Sequence, residues 1–200
     1  MHEKLLAHIS RFVDLTHGEQ QLLAASMEYR AIPKRKILLK PSQVCTSLYF
    51  VVSGSLRLYS MKSNGAEQIL QFGLADWWIC DYQSLENGTV SGYYIDAVDD
   101  AEVLVLDLRT RNELFDRIPM FERYFRLLMQ RGYAAGIKRV SYFLTGSREE
   151  MYLQFVRLYP EFAHSVPQYM LASFLGMTPE FLSKIRGKKG STPGGKPKIS

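Results

Sequence analysis

Hydrophobic and polar positions follow three successive patterns along the chain. Up to about residue 29 the apolar side chains recur near helical spacing. His8, Phe12 and Val13 belong to a first helix. Leu22, Leu23 and Met27 belong to a second that starts at His17, with Thr16 as its cap. These elements read as a lid or packing layer. From about residue 31 to 108 the pattern changes to short strands with turns between them. Residues 31–39 form one candidate, ended by Pro41. TSLYFVVS (46–53) is dense in β-branched and aromatic residues, Gly54 breaks the run, and SLRLYS (55–60) alternates apolar with polar. Asn64-Gly65 is a strong hairpin signal before a strand over 66–72, and strands over 92–98 and 101–108 flank Asp99-Asp100. Six or so strands with no helices between them predict an antiparallel barrel or jelly roll.

After Asn112 the pattern is helical to the end, which makes the fold class α+β. Pro119 suits a first helical turn. The stretch 120–144 has no proline and repeats apolar residues at Met120, Tyr124, Leu127, Leu128, Ile137, Val140 and Leu144. A helix of roughly 25 residues runs about 37 Å, more than a small barrel covers. Gly132, Ala134, Ala135 and Gly136 let another helix approach closely. A dimer seam is the expectation, and packing against the chain's own barrel is the alternative. Ser147 with Glu150 forms a capping box for a helix that ends before Pro160, and STPGGKP (191–197) reads as a disordered tail.

Residues 168–187, QYMLASFLGMTPEFLSKIRG, have the pattern of a helix-turn-helix. Such a unit needs a small residue where its helices touch and, four positions on, a glycine that reverses the chain. Ala172 and Gly176 meet that spacing, and Leu171, Leu175, Met177, Leu182 and Ile185 fill the apolar positions. Thr178 caps the second helix and Pro179 takes its first position. That helix would present Pro179, Glu180, Ser183, Lys184 and Arg186. A glutamate accepts from the cytosine amino group, Lys and Arg meet guanine edges or phosphates, and a capped helix start suits phosphate oxygens. The plainer reading is a helical hairpin in a bundle.

The formal charge of +5 sharpens this picture through its placement. Lys184, Arg186, Lys188, Lys189, Lys196 and Lys198 all follow the last acid, Glu180, leaving 19 basic and 20 acidic side chains before them. A basic end on a neutral body points to a polyanion, nucleic acid before membrane. No apolar run approaches the roughly 18 residues of a membrane span. MHEKLLAHIS lacks the features of a secretory signal, so a cytoplasmic location is expected. Two cysteines, Cys45 and Cys80, are too few for an iron–sulfur cluster, and His2, His8, His17 and His164 lie off the strands, against a metal enzyme on such a roll. No nucleophile elbow, phosphate loop or HExxH motif occurs, and the pairs Asp99-Asp100 and Glu149-Glu150 suit a turn and a helix start. Neither catalytic residues, nor a metal site, nor a cofactor is expected.

The order of barrel, long helix and helix-turn-helix resembles the Crp/Fnr superfamily of bacterial transcription regulators. The resemblance spans nearly the whole chain. It rests most on SLYFVVSGSLRLYS around Gly54 and on the helix-turn-helix segment. It implies a cyclic-nucleotide-binding-like β-roll (a double-stranded β-helix) over 1–118, a dimerisation helix over 119–144 and a winged helix-turn-helix domain over 145–200. The wing would be truncated or absent, because after Arg186 the chain reads GKKGSTPGGKPKIS. The implied partners are double-stranded DNA and a second copy of the chain, with DNA contacts from Thr178, Pro179, Glu180, Ser183, Lys184, Arg186, Lys188 and Lys189. Glu180 and Lys184 match family positions that contact bases, whereas Pro179 stands where an arginine often sits.

Nucleotide-binding members carry a Gly-Glu segment and, about a dozen residues later, Arg-Ser or Arg-Thr. Here Ile79 and Cys80 fall at the first place and Ser91-Gly92 at the second, and no Arg or Lys occurs between Lys62 and Arg109. A cyclic phosphate would lose its strongest contacts, so cAMP or cGMP binding is not expected. Trp77, Trp78, Cys80, Tyr82, Ser91, Tyr93 and Tyr94 are instead candidates for a pocket taking another small-molecule effector, or for core packing. The alternative function is a ligand-binding roll that no longer regulates through DNA.

Overall fold

The computed structural model describes residues 2–145 and 147–190, apart from the side chains of 145 and 188–190. The expected tail 191–197, Lys196, Lys198 and any wing lie outside the described residues. Two compact units emerge, Met1–Gly136 and Ile137–Ser200.

The first unit begins with α1 (His2–Ile9) and α2 (His17–Ala25). Thr16 and Glu19 form a reciprocal capping box. The Thr16 hydroxyl accepts from the Glu19 N–H at 3.3 Å, and the Glu19 carboxylate accepts from the Thr16 N–H at 2.7 Å. Leu5, Ile9 and Leu23 bury the apolar faces of these helices.

Eight strands follow: β1 (Glu28–Ile32), β2 (Ile37–Leu39), β3 (Ser47–Ser53), β4 (Leu56–Met61), β5 (Glu67–Gly73), β6 (Trp78–Ile79), β7 (Tyr94–Ala97) and β8 (Ala101–Asp107). They make two four-stranded antiparallel sheets, ordered β1-β8-β3-β6 and β2-β7-β4-β5. The roll is therefore two sheets rather than one closed barrel. The strand expected over 31–39 divides at Pro33, with Arg35 at φ 66, and its halves enter different sheets. Also unexpected are β6 and a helix between strands, α3 (Tyr82–Asn87). Asp81 caps α3 by accepting the Ser84 N–H, and Gly88 ends it at φ 63. Asn64-Gly65 makes the expected turn, with Gly65 at φ 80 donating to the Lys62 carbonyl at 2.9 Å.

The sheets enclose a core of Leu48, Phe50, Leu56, Leu58, Ile79, Ile95, Leu104 and Leu106. Gly54, at φ 72 between β3 and β4, lies against the β7–β8 turn. A Cβ there would fall 2.2 Å from the Asp100 carbonyl oxygen and 2.7 Å from the Ala101 Cα. The second sheet also buries a cation. Arg57 donates to both Asp96 carboxylate oxygens (2.7 and 2.9 Å) and to Glu67, and its guanidinium lies 4.2 Å from the Tyr59 ring centre. Tyr59 in turn stacks on Tyr94.

The remaining elements among the described residues are helical: α4 (Leu108–Arg117), α5 (Pro119–Thr145), α6 (Arg148–Leu158), α7 (Pro160–Ser165), α8 (Gln168–Phe174) and α9 (Pro179–Gly190). Asp107 caps α4 and Ser147 caps α6, each accepting a backbone N–H from three residues on. No helix among the described residues is long and apolar enough to cross a membrane.

Candidate functional site

In the second unit α8 ends at Phe174 and the chain reverses over residues 175–178 into α9. Gly176 sits at φ 65, and the Met177 N–H reaches back to the Ala172 carbonyl at 2.9 Å, the long backbone bond of a left-handed helix end. Ala172 is fully buried. The Gly176 Cα is crowded too: a Cβ would meet Phe143 Cε1 at 2.3 Å. Leu171, Leu175, Met177, Leu182 and Ile185 all face the interior.

This anchoring leaves the other side of α9 in water. Thr178, Pro179, Glu180, Ser183 and Lys184 are exposed and Arg186 is half-buried. Lys188 and Lys189 continue the helix backbone, with side chains outside the described residues. The Thr178 hydroxyl accepts the Phe181 N–H at 3.2 Å. The Glu180 backbone N–H and the Thr178 hydroxyl hold the Glu180 carboxyl below its ordinary value, so at neutral pH it is an ionised acceptor. The face thus presents one carboxylate and the Lys184 ammonium within about one turn of each other. Such an arrangement accepts from an exocyclic amino group and donates to base edges or phosphates. Sequence reasoning missed Phe181, 43% exposed at the flank of this face. The signal was available, because an aromatic residue directly follows Glu180.

The apolar stripe of α5 has two fates. Tyr124 and Phe125 are buried in the first unit, and Leu127 and Leu128 are half-buried against its core. Beyond them Met129 (40%), Tyr133 (73%), Ile137 (52%), Val140 (51%) and Leu144 (79%) stay exposed, at spacings of three and four residues that keep them on one helix face. Gly132 and Gly136 have open space where a Cβ would stand.

The residues predicted to line an effector pocket differ in burial and in their partners. Trp78 is buried between Phe50 (5.3 Å between ring centres) and Phe125 (5.1 Å), and its indole N–H donates to the Tyr124 hydroxyl at 2.9 Å. That hydroxyl also lies 2.8 Å from His8 Nδ1. Burial, aided by Arg11, lowers the His8 pKa. Cys80 is buried, and burial pushes its thiol far up, away from thiolate chemistry. The Tyr82 hydroxyl is buried without a hydrogen-bond partner among the described residues, Ser91 accepts the Tyr93 N–H at 2.9 Å within its own loop, and Trp77, Tyr93 and Tyr94 are half-buried. A groove of about 570 Å³ opens elsewhere, along Val44, Cys45, Leu85 and Leu108, and none of these pocket candidates lines it. Arg57 is already committed to Asp96 and Glu67. No group of three His, Cys, Asp or Glu residues among the described residues is arranged to hold a metal ion.

Residues 29–118 match the family model of the cyclic nucleotide-binding domain. No curated protein matches the chain. Among solved structures, the Thermus thermophilus catabolite activator protein is 22% identical, over 92% of this chain and 90% of that one, with a TM-score of 0.56. FixK2 from Bradyrhizobium japonicum reaches a TM-score of 0.69 at 16% identity, covering 85% and 89% of the two chains. A protein described as a Crp/Fnr-family transcriptional regulator, from Eubacterium rectale, reaches 0.65 at 17% identity, covering 88% and 84%. At such identities the likeness is one of fold: a cyclic-nucleotide-binding-type roll followed by C-terminal helices.

Proposed function

We propose that the protein is a sequence-specific DNA-binding transcription regulator of the Crp/Fnr type, working in the cytoplasm as a homodimer and without enzymatic activity. The observation that carries this reading is α9, pinned by Leu182 and Ile185 behind the Gly176 turn, with Glu180, Ser183 and Lys184 turned to solvent. A helix anchored on one side and armed on the other is what entry into a major groove requires. The structural likeness to regulators over most of the chain supports it. In functional terms residues 1–118 form the roll, 119–144 the seam and 145–200 the DNA-binding domain.

Selection of binding sites from random duplexes, followed by footprinting, tests the reading. A roughly palindromic site with half-sites about 34 Å apart is expected, and failure to select any sequence at moderate salt would refute it. Lys184→Ala should weaken binding to the selected site by about 1–3 kcal/mol if the ammonium meets a base edge. Equal affinity of variant and parent in a titration would remove Lys184 from the interface.

The exposed stripe from Met129 to Leu144 supports the dimer seam, because five large apolar side chains on one helix face call for a cover. Ile137→Glu should give a monomer in sedimentation and lower DNA affinity about tenfold through loss of the second half-site. An unchanged dimer would place the interface elsewhere.

The roll is read as a scaffold or as a sensor of a small molecule other than cAMP. The buried, hydrogen-bonded Trp78 and the paired Arg57 leave neither space nor free cation for a cyclic phosphate at those residues. Calorimetry should detect no cAMP binding at physiological concentration.

A further inference from the structure

Among the described side chains of α9, Phe181 is the large apolar one left in water, at 43% exposure. The helix does not need it outside: Leu182 and Ile185, 0% and 3% exposed, already anchor α9. At about 100° of turn per residue, Glu180 and Phe181 diverge by about 100°, and Lys184 projects between them. Phe181 therefore flanks the same face as the carboxylate and the ammonium. Its backbone N–H is tied to the Thr178 hydroxyl, so the turn that carries it is fixed at the helix start. A phenyl ring neither donates nor accepts a hydrogen bond to a base edge. In the major groove the complementary group is the C5-methyl of thymine.

We infer that Phe181 is a specificity-determining residue whose ring packs on a thymine methyl within a step or two of the base pair met by Glu180. This rests on the DNA-binding reading of α9. Each half-site then carries a required thymine beside a cytosine–guanine pair. Glu180 selects through the cytosine amino group and Phe181 through shape and apolar contact alone.

Deoxyuridine, which differs from thymidine by that methyl only, tests the contact with the unaltered protein. Selected duplexes are remade with each thymine replaced in turn, and binding of the full-length chain is titrated. At one thymine per half-site the replacement should weaken binding about fourfold, the ~0.8 kcal/mol of one buried methyl group. Phe181→Ala should bind the thymine and deoxyuridine duplexes alike, whereas Phe181→Leu should keep part of the difference. A protein that selects a site yet ignores every deoxyuridine replacement overturns the assignment and leaves the DNA reading standing. Full methyl dependence retained in Phe181→Ala overturns it too. A protein that selects no site at all overturns the DNA reading, and the role of Phe181 falls with it.

Discussion

Gly54→Ala is expected to destabilise the first unit by about 3 kcal/mol or more. Two costs add. The backbone at φ 72 penalises any residue with a Cβ, by about 1–2 kcal/mol. The added methyl must also displace the Asp100 carbonyl, 2.2 Å away, and the Ala101 backbone. Forcing extra atoms against closed backbone typically costs a further 1–3 kcal/mol. Ala101 opens β8, the strand paired with both β1 and β3, so the disturbance enters the centre of the first sheet. Gly65→Ala is the natural control. Its φ of 80 carries the same conformational penalty, but nothing lies within 4 Å of the added Cβ. Denaturant unfolding followed by tryptophan fluorescence, with Trp78 reporting from the core, should show a loss for Gly54→Ala at least twice that for Gly65→Ala. Equal losses would mean that the close approach to Asp100 has no energetic weight.

Asp96→Ala is expected to cost about 3 kcal/mol. Arg57 and Asp96 are both 8% exposed in their side chains and are joined by two parallel hydrogen bonds. Removing one partner of a buried pair leaves the other charge without compensation, typically at 3–5 kcal/mol. Glu67, more exposed and still bonded to Arg57, places the effect at the lower end of that range. The contrast that identifies the cause is the double variant Arg57→Met with Asp96→Leu. Exchanging the whole pair for apolar side chains of similar bulk should recover most of the loss, because the desolvation cost disappears along with the attraction. Chemical denaturation of the two variants side by side decides the matter. A double variant as unstable as Asp96→Ala would show that shape at this site matters more than charge.

Arg57 also shows where sequence reading stops. In SLRLYS the alternation marks a strand, and the strand is there as β4. Nothing in the alternation shows that Arg57 is 6% exposed, since its partners come from β5 and β7, 10 and 39 positions away. The aromatic candidates behave likewise. Trp78 looks the same in sequence whether it lines a ligand cavity or fills a core, and the answer depends on Phe50, Phe125, Tyr124 and His8 arriving around it. α9 was more legible: its glycine turn, cap and apolar positions are all local, so its exposed face followed from the 168–187 segment. Phe181 escaped because attention to hydrogen-bonding residues passes over an apolar one.

What the sequence determined by itself is what short-range physics dictates. Thr16 and Ser147 cap their helices, Asn64-Gly65 turns a hairpin, Pro119 opens a long helix, and Gly176 ends another in a left-handed turn. Each depends on backbone geometry and hydrogen bonds within a few residues. Tertiary structure decided everything that depends on distant neighbours. It sent the halves of 31–39 to different sheets, drew Arg57 inside, filled the space around Trp78, and covered Tyr124 and Phe125 of the α5 stripe while leaving Met129 to Leu144 in water. The reason is physical. Burial belongs to an environment assembled from remote segments, so one pattern of apolar and polar residues is consistent with several environments until the chain has closed around it.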